Sequence, residues 1–539
     1  MATPHISRQS NEAAPLDALV VGAGFAGLYM LHKLRGMGFS ARVLEAGSGV
    51  GGTWYWNRYP GARCDVESME YSYQFSDELQ QDWDWTERYA AQPEILRYAN
   101  HVADRFDLRR DITFGARVSS ARFDETDRLW TLTAGDGRSW RARFCIMATG
   151  CLSSTNTPDF TGIESYRGAT YHTGAWPHEG VDFTDKTVGI IGTGSSAVQS
   201  IPIIAAAARH LTVFQRTPNY VVPAHNRPLD PDERRRVKAD YAALRAKAKQ
   251  MRNGISYEVN QAKAMEVSPE EREWQYELRW QRGGLSFSGA FMDTLLDARS
   301  NEQAAEFIRR KIRAIVKDAA TADLLSPRSI LACKRLCVDT GYFETFNRAN
   351  VSLVDVSAAA IERLVPEGVV AGGKTYALDA IVFATGFDAM TGALDRIEIR
   401  GRSGERLKDA WSAGPRTYLG LQSAGFPNLF LITGPGSPSV LTNMLPSIEQ
   451  HVEFIADCMA HVRQRGADTV EALADAQEAW VATVNEVAGQ TLFLGCNSWY
   501  LGANVPGKPR VFMPYIGFPP YVEKCREVVA KGYEGFAIA

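Results

Sequence analysis

Three glycines at the end of a short apolar run are the first residues whose spacing indicates a binding site. Residues 18–21 lead into Gly22, Gly24 and Gly27, and a helical pattern of leucines follows. In this G-x-G-x-x-G arrangement, Gly22 makes the tight turn and Gly24 lets the backbone approach a pyrophosphate. Gly27 lets the helix lie close to the strand. The next apolar strand ends in Glu45, where a carboxylate can accept hydrogen bonds from ribose hydroxyls. This order of elements predicts a dinucleotide site.

The same pattern returns later in the chain. Residues 187–191 lead into Gly192, Gly194 and Ala197, and the following strand is succeeded by Arg216 rather than by an acid. A carboxylate at that position would repel a 2′-phosphate, whereas a guanidinium can bind it bidentately. The first site is therefore predicted to prefer a cofactor with a free 2′-hydroxyl and the second to prefer NADP(H). A solvated surface arginine remains the alternative for Arg216.

A second repeat indicates how the two sites are arranged along the chain. Apolar strands ending in Ala-Thr-Gly occur at 144–150 and again at 380–386. They predict an α/β fold with two nested Rossmann-like domains, one for a flavin and one for a nicotinamide. The expected limits are 1–150 and 388–539 for the flavin (FAD) domain, 151–222 and 331–387 for the NADP domain, and 223–330 for a charge-rich helical insertion. The insertion contains a helix start at Asp230, with Pro231 at the first helical position.

Four side chains outside the glycine patterns could take part in a reaction. Asp65 lies in a Pro-Gly-rich loop after a glycine cluster, and is either a buried carboxylate paired with a cation or a turn-capping aspartate. Lys334 and Arg335 are adjacent cations that could bind a phosphate and a developing oxyanion, or could be surface charges. His172 precedes the second glycine pattern, and a lone histidine is more often a hydrogen-bonded core residue than a catalyst.

Composition excludes several other classes of protein. The 539 residues carry 59 Lys+Arg against 62 Asp+Glu, a formal net charge of −3, which gives no basic field for nucleic acid. Eight cysteines are too sparse for a disulfide framework and lack the spacing of a zinc site, so no metal is expected. The longest apolar run, 201–208, is far shorter than the ~18 residues of a membrane helix. Residues 1–15 show no signal-peptide pattern. A cytoplasmic monomer or weak oligomer is expected, with neither membrane nor nucleic acid as a partner.

Residues 166–177 resemble the F-x-G-x-x-x-H-x-x-x-W-P fingerprint of the Baeyer–Villiger monooxygenases. The matching residues are Gly168, His172, Trp176 and Pro177, and Tyr166 replaces the usual phenylalanine. The resemblance extends over nearly the whole chain and is greatest to the phenylacetone, steroid and cyclohexanone monooxygenases. Further matching segments are 51–56, 59–65, 213–218, 384–388, 434–439, 498–504 and 533–536. A second departure is at 517–520, where Gly-Phe-Pro-Pro replaces the Gly-Gly pair of relatives.

The resemblance implies an enzyme that holds FAD in the first fold and NADPH in the second. NADPH would reduce the flavin, and dioxygen would give a C4a-peroxyflavin that attacks a ketone carbonyl, so that an ester or lactone forms. Sulfoxidation is a further expected activity. Arg335 would stabilise the peroxyflavin and the tetrahedral oxyanion, and Asp65 would hold Arg335 and the nicotinamide in place. Lys334, Arg216 and Thr217 would take the 2′-phosphate, while Trp499 would cover NADP⁺. His172 and Trp176 would connect domains.

The expected cofactor contacts fall into two groups. Those for FAD are Gly22, Gly24, Phe25, Gly27, Glu45, Thr53, Trp54, Asp65, Tyr71 and Met444. Those for NADP are Gly192, Thr193, Gly194, Ser195, Ser196, Ala197, Arg216, Thr217, Lys334, Arg335 and Trp499.

Three other classes of function remain open at this point. A flavin N- or S-hydroxylating monooxygenase shares both glycine patterns, although its fingerprint usually lacks the Trp-Pro ending seen at Trp176 and Pro177. A disulfide reductase also pairs FAD with NADPH, but it needs a redox cysteine pair beside the flavin helix, where Cys64 stands alone in the sequence. A flavin-binding sensor without catalytic activity is the third class.

Overall fold

The computed structural model describes residues 14–503, 505–508 and 514–539. Most of the segment assessed for a signal peptide, residues 1–13, lies outside the described residues, as does Asn504 of the 498–504 match. In the described chain no helix is both long and apolar enough to cross a membrane.

The strands of the described chain fall into two main sheets and three smaller ones. Their bounds are β1 Leu16–Val21, β2 Ala41–Leu44, β3 Ile112–Thr113, β4 Val118–Asp124, β5 Leu129–Ala134, β6 Ser139–Met147, β7 Ala169–His172, β8 Thr187–Ile191, β9 His210–Gln215, β10 Val221–Pro223, β11 Cys337–Asp339, β12 Val351–Asp355, β13 Ile361–Val365, β14 Gly368–Ala371, β15 Lys374–Ala377, β16 Ala380–Phe383, β17 Glu398–Arg400, β18 Leu429–Leu431, β19 Val470–Ala472 and β20 Phe536–Ile538.

The α-helices of the described chain include one run of five between the tenth and eleventh strands. Their bounds are α1 Phe25–Gly36, α2 Thr53–Trp56, α3 Asp77–Asp82, α4 Gln92–Arg105, α5 Ser195–Ala207, α6 Pro231–Ala239, α7 Tyr241–Gln250, α8 Pro269–Arg282, α9 Ala298–Ile315, α10 Ala319–Leu325, α11 Tyr342–Thr345, α12 Gly392–Asp395, α13 Leu407–Ala410, α14 Met444–Gln464, α15 Ala474–Gly489 and α16 Phe518–Ala530.

The first main sheet is built around the parallel pairs β1–β2 and β1–β6. Its order is β17-β4-β5-β6-β1-β2-β3, with β18 paired to β6. Alternate residues of a strand point to opposite faces, so Val20 packs with α1 and α14 while Leu19 packs with the β4–β5 hairpin. Both faces of β1 are therefore buried, and its carboxyl end can present the first glycine turn.

The second main sheet is entirely parallel, in the order β12-β9-β8-β16-β7. It is formed after β6, and β17 and β18 then return to the first sheet, so one sheet is nested within the other. Helices α6 to α10 separate β10 from β11 and form the helical insertion. Asp230 accepts hydrogen bonds from the N–H groups of Asp232 and Glu233 and caps α6. The predicted α/β class with two nested folds is confirmed; the domain limits given above remain a prediction.

The segment 517–520, which departs from the pattern of relatives, begins a helix. Pro519 and Pro520 of the Gly-Phe-Pro-Pro segment lie in the first turn of α16, where the missing N–H groups cost no helical hydrogen bond.

A disulfide joins Cys333 to Cys496, 163 residues apart. The other six cysteines are free and buried. The sparse cysteines therefore form no framework but do make one cross-link. Within the described residues no group of three metal-ligating side chains occurs.

Candidate active site

The first glycine turn, between β1 and α1, is closely packed on one side and open on the other. Gly22 has φ +107°, and a Cβ on it would lie 2.6 Å from the carbonyl oxygen of Ala148. A Cβ on Gly27 would overlap the carbonyl oxygen of Gly22. Only Gly52, at 3.4 Å or more, lies within 4 Å of a Cβ placed on Gly24. Gly22 and Gly27 therefore serve the turn and the helix packing, while Gly24 leaves room for a ligand.

Glu45 is buried at the end of β2 beside this turn. One carboxylate oxygen accepts the N–H of Ala23 at 2.7 Å, and the other accepts the N–H of Gly47 at 2.6 Å. Each oxygen retains a lone pair, because a carboxylate has about four acceptor sites. The carboxylate is thus held by two backbone N–H groups and can still accept hydrogen bonds from ribose hydroxyls.

The second glycine turn, between β8 and α5, repeats this construction. Gly192 has φ +117°, and a Cβ on it would lie 2.4 Å from the carbonyl oxygen of Ala384. Around Gly194 no described atom lies within 4 Å of an added Cβ. Thr193 donates a hydrogen bond to the carbonyl oxygen of Thr217 at 2.6 Å, which joins the turn to the end of β9. Because Gly194 has no side chain, a space remains beside the N-terminus of α5. A diphosphate requires such a space.

Arg216 and Lys334 form a pair of cations next to this second turn. Burial and the nearby Arg216 charge lower the pKa of Lys334 from its ordinary value. In the part of the chain that the structure describes, no ion pair to a carboxylate is found for either residue. Two like charges held together without a counterion indicate a site for an anion, and Arg216 is solvent-exposed at the end of β9.

A cavity of about 830 Å³ extends from the first turn toward the second, within the range of about 300–1,000 Å³ typical of ligand sites. The sequence-predicted residues that line it are Gly22, Gly24, Phe25, Glu45, Thr53, Trp54, Asp65, Tyr71, Ser195, Arg335, Met444 and Trp499. Those that do not line it are Gly27, Gly168, His172, Trp176, Pro177, Gly192, Thr193, Gly194, Ser196, Ala197, Arg216, Thr217 and Lys334. The cavity therefore combines the predicted FAD contacts with Arg335, and reaches the second turn only at Ser195.

Arg335 and Asp65 form a bidentate ion pair in the wall of this cavity. Nε and Nη2 of Arg335 each donate to a different oxygen of Asp65 at 2.8 Å. Nη1 donates to the carbonyl oxygen of Val440, also at 2.8 Å. Burial acts to lower the pKa of Arg335, but the charge and hydrogen bonds of Asp65 outweigh it and raise the pKa. The guanidinium is therefore fixed in orientation and permanently charged.

The chain beside Arg335 is held in an uncommon conformation. Ala332 adopts φ +61°, in the left-handed region that non-glycine residues seldom occupy. Tyr500 lies close enough to Arg335 for the cation to act against the rise in its pKa, which burial brings to about 12. Val440 was not predicted as a contact, and its apolar side chain gives no signal, because only its backbone oxygen is used.

An aromatic wall follows the first glycine turn. The indole N–H of Trp54 donates to the hydroxyl of Tyr71 at 3.1 Å, and Phe25 meets Tyr71 edge-on at 6.0 Å. Met444 begins α14 directly after Asn443, which is its N-cap. The backbone N–H of Asn443 donates to the carbonyl oxygen of Asn253 in the helical insertion at 2.8 Å. The insertion thus supports the segment that carries Met444.

The loop before Asp65 packs closely against α5 of the second fold. A Cβ on Gly61, which has φ +81°, would lie 2.3 Å from the carbonyl oxygen of Gln199 in α5. Tyr59 donates to Oε1 of Gln199 at 2.8 Å, and Gln199 Nε2 donates to the carbonyl oxygen of Arg63 at 3.1 Å. Gln199 was missed by sequence reasoning, because a polar residue in an otherwise apolar helix was its only signal.

The fingerprint residues lie behind the cavity, at the end of the second sheet. Nδ1 of His172 accepts the N–H of Gly174 at 3.0 Å, so the ring proton lies on Nε2, 3.3 Å from Oγ1 of Thr385. Thr385 in turn donates to the carbonyl oxygen of Asn156 at 2.6 Å. Burial lowers the pKa of His172. The histidine is therefore neutral and joins β7 to the Ala-Thr-Gly segment after β16.

The other fingerprint positions are packing residues. Trp176 is buried with the second sheet, and Pro177 is half-buried beside it. A Cβ on Gly168 would lie 2.2 Å from the hydroxyl of Tyr166. That hydroxyl, absent from the usual phenylalanine, donates to the carbonyl oxygen of Leu378 at 2.9 Å. The substitution at 166 is thus accommodated by one additional hydrogen bond.

These features fit two dinucleotides of different kind. The first turn offers an open glycine, a fixed acid and an aromatic wall, which suit a diphosphate, a ribose and a flat ring. The second turn offers an open glycine and two cations without a counterion, which suit a diphosphate and a 2′-phosphate. Ser154 lines the cavity with a buried hydroxyl that has no protein partner in the described chain, as expected of a ligand contact.

Known proteins resemble the chain along almost its entire length. Residues 19–277 match the family described as pyridine nucleotide-disulphide oxidoreductase. A Baeyer–Villiger monooxygenase of Pseudooceanicola batsensis is 44% identical over 96% of both chains. Phenazine N-monooxygenase of Lysobacter antibioticus is 42% identical over 98% of both chains. An oxidised steroid monooxygenase bound to NADP is 52% identical over 97% of this chain and 99% of its own, with a TM-score of 0.93. The chain belongs to the Baeyer–Villiger monooxygenase family.

Proposed function

We propose that the chain converts ketones to esters or lactones, with NADPH and dioxygen as co-substrates and FAD as bound cofactor. Bound FAD, once reduced by NADPH, supplies the activation of dioxygen and the transfer of one oxygen atom to the ketone. The second oxygen atom leaves as water, so that one NADPH and one proton are consumed for each ester. The identities of 42–52% to monooxygenases over almost the full chain support this class of reaction.

The observation that carries the proposal is the fixed guanidinium of Arg335 in the cavity wall. Its five N–H groups comprise one on Nε and two on each Nη. Asp65 and Val440 accept three of them. These contacts leave one N–H group on each Nη, and the side chain of Tyr500 lies within hydrogen-bonding reach of the guanidinium. A permanent positive charge held in one orientation is suited to an oxygen atom that gains negative charge as the carbonyl is attacked.

Asp65 acts through Arg335 rather than on the substrate. Its two oxygens hold Nε and Nη2, which leaves the plane of the guanidinium no freedom to turn away from the cavity. A carboxylate with both oxygens engaged in this way is a positioning residue. We therefore assign Arg335 as the catalytic cation and Asp65 as the residue that orients it.

On the nicotinamide side, Arg216 and Lys334 are the proposed ligands of the 2′-phosphate. Burial and the charge of Arg216 lower the pKa of Lys334, and an anion between the two cations would relieve their mutual repulsion. Thr217 follows Arg216 and its carbonyl is fixed by Thr193, so the end of β9 keeps one geometry. Trp499 lines the same cavity as Arg335 and is the proposed cover over NADP⁺.

Product analysis tests the function directly. The FAD-loaded enzyme is given NADPH, dioxygen and a panel of linear, cyclic, aryl and steroidal ketones, and esters or lactones are measured by gas chromatography with mass detection. We expect ester formation from at least one class, with NADPH oxidation in proportion. NADPH oxidation without any oxygenated product across the panel would contradict the proposal and favour a flavin sensor.

A second candidate function is N-oxygenation. It is favoured by the 42% identity to a phenazine N-monooxygenase over 98% of both chains. The same assay with an aromatic N-heterocycle and a thioether distinguishes the candidates and also tests the expected sulfoxidation. A specificity constant for the heterocycle well above that for every ketone would make N-oxygenation the main activity.

We further propose a cytoplasmic monomer or weak oligomer as the working form. Dependence on NADPH favours a compartment that supplies this reductant. Sedimentation of the FAD-loaded enzyme at micromolar concentration should give the mass of one chain, 59.5 kDa plus the cofactor. A stable larger species at nanomolar concentration would contradict the monomeric form.

A further inference from the structure

We propose that Cys333 and Cys496 form a reversible redox site that controls how firmly the segment carrying Trp499 is held against the active site. The disulfide joins the residue directly before Lys334 to a residue three positions before Trp499. Its effect on turnover rests on the proposed function, because Trp499 is proposed to cover NADP⁺. The redox chemistry of the pair does not depend on the proposed function.

The separation of the two backbones suits a disulfide. The Cα atoms of Cys333 and Cys496 lie 6.4 Å apart, within the usual range of 4.4–6.8 Å for disulfides. The two residues come from segments 163 positions apart, so their approach is produced by tertiary packing and not by local chain geometry. Cytoplasmic disulfides in most organisms are transient or redox-sensing, and the proposed location of the enzyme therefore favours a reversible bond.

The two sulfurs differ in their access to solvent. Cys333 is 1% exposed, whereas Cys496 is half-buried. The six free cysteines are all buried. Attack by a soluble thiol or by a peroxide is therefore directed to Cys496, while Cys333 is the resolving partner held beneath it.

The segment that contains Cys496 packs on the active-site wall. Cys333, Cys496 and Trp499 belong to one apolar cluster with Val440 and Met444. Val440 supplies the carbonyl oxygen that holds Arg335. A change at the cysteine pair can therefore reach both the cover and the catalytic cation over a short path.

Other attachments of the segment are non-covalent. The N–H of Leu492 donates to the carbonyl oxygen of Leu295 at 3.0 Å, and a Cβ on Gly495 would lie 2.6 Å from Cδ1 of Ile330. Reduction would leave these contacts as the restraints on the start of the segment. Because apolar contacts and one hydrogen bond open more readily than a covalent bond, the reduced segment should be released more often.

The redox steps balance with named reagents. In the oxidising direction, the Cys496 thiolate attacks hydrogen peroxide to give a sulfenic acid and hydroxide. The Cys333 thiol then attacks that sulfur, water leaves, and the disulfide forms. In the reducing direction, a dithiol attacks the sulfur of Cys496 through its thiolate, and the products are the two protein thiols and the oxidised dithiol.

The oxidant can arise from the proposed reaction itself. When NADPH and dioxygen react without a ketone, NADPH, one proton and O₂ give NADP⁺ and hydrogen peroxide. Peroxide formed in this way would close the Cys333–Cys496 bond, hold the cover more firmly and so reduce further loss of NADPH. The pair would then act as a local feedback on unproductive turnover.

The redox state of the pair is tested first by counting thiols. The FAD-loaded enzyme is treated with hydrogen peroxide or with a dithiol, denatured under acid, alkylated and weighed. We expect six alkylated cysteines after peroxide, with a peptide cross-linked between positions 333 and 496, and eight after the dithiol. Eight alkylated cysteines after peroxide, or a cross-link to another cysteine, would overturn the proposal.

The effect on the active site is tested by NADP⁺ binding and by peroxide yield. Reduction of the wild-type enzyme should raise the Kd of NADP⁺ by about fivefold or more, at the lower end of couplings between two sites. The hydrogen peroxide formed for each NADPH should rise as well. Cys496→Ser should show the reduced behaviour with or without dithiol, and Cys333→Ser should match it. Asn497→Ser, an exposed neighbour, is the control and should respond like the wild type.

The outcomes separate the two proposals. Equal Kd and equal peroxide yield in the oxidised and reduced wild-type enzyme would overturn the regulatory effect. So would an equally large response to dithiol in Cys496→Ser. If the oxidised wild-type enzyme bound NADP⁺ but oxygenated no substrate, the proposed function would fail, while the thiol count and the Kd comparison would still decide the redox site. The flavin content of each variant reports that it has folded.

Discussion

Replacement of Arg335 by alanine tests the central residue of the site. The variant removes a permanent charge from the cavity wall and the three hydrogen bonds to Asp65 and Val440. Loss of an oriented donor to a developing oxyanion costs about 2.7–4 kcal/mol, or a factor of about 10²–10³ in rate. We therefore expect ester formation to fall by at least this factor.

Stability changes in the same variant must be kept apart from catalysis. The side chains of Arg335 and Asp65 are 24% and 23% exposed, so the pair is partly screened by solvent. Hydrogen bonds to charged groups contribute about 1.5–3 kcal/mol, and a loss of unfolding free energy in the lower part of this range is expected. The double variant Asp65→Ala/Arg335→Ala, which leaves no unpaired carboxylate, should regain part of it.

The assay follows three quantities in the Arg335→Ala enzyme. FAD content should match the wild type, and NADPH should still reduce the flavin under nitrogen in a stopped-flow absorbance experiment. Ester yield for each NADPH should fall to near zero, and hydrogen peroxide should account for the difference. Arg313→Ala, in the half-exposed surface network of the insertion, is the matched control and should keep the wild-type yield.

Two results would refute this reasoning. An unchanged ester yield would show that Arg335 does not stabilise the reacting oxygen. A loss of flavin reduction as large as the loss of ester would show that the residue serves NADPH binding alone.

The remaining predictions concern the cofactor sites and one buried acid. Arg216→Glu should raise the KM of NADPH by about 10–150-fold, the equivalent of about 1.5–3 kcal/mol for a charge-assisted contact. The KM of NADH should change by less than about threefold. An equal rise in both KM values would show that Arg216 does not bind the 2′-phosphate. Trp499→Ala should oxidise NADPH at a similar rate but yield less ester and more hydrogen peroxide. An unchanged yield of ester for each NADPH would argue against Trp499 as the cover over NADP⁺. Burial raises the pKa of Glu449 to about 7, and its carboxylate accepts the N–H groups of Gln74 and Phe75. The folded state therefore holds a proton that the unfolded state releases near pH 4.5, so this group makes stability fall as pH rises from about 4.5 to 7. Glu449→Gln should reduce that fall in urea titrations across this window, and an identical pH profile would contradict the assignment.

The sequence predicted those parts of the molecule that depend on local spacing. The two glycine turns, the strands on either side of them, the helix start at Asp230 and the position of Arg216 all follow from short-range rules. The bidentate pairing of Arg335 with Asp65, 270 positions apart, followed only from the family resemblance. Nothing in the spacing of those two residues requires them to meet.

Contacts made by backbone atoms of distant segments were beyond sequence reasoning. The carbonyl oxygen of Val440 holds Arg335, and that of Asn253 holds the residue before Met444. Any side chain at 440 or 253 could present the same oxygen, so residue type carries no signal. The Cys333–Cys496 bond was missed for a related reason, since connectivity among eight cysteines is not determined by their order.

The contact at Gly61 has a consequence for exchanging parts between related enzymes. A Cβ would need about 3.4 Å to the carbonyl oxygen of Gln199, and only 2.3 Å is present. Any other residue at 61 would therefore push the loop before Asp65 and α5 of the second fold apart by about 1 Å. A misplacement of 1 Å can cost a factor of about 10² in rate. In a chimera, the nicotinamide fold would come from a related enzyme. Its two folds should therefore keep their spacing only if residue 61 and the backbone at 199 still fit against each other.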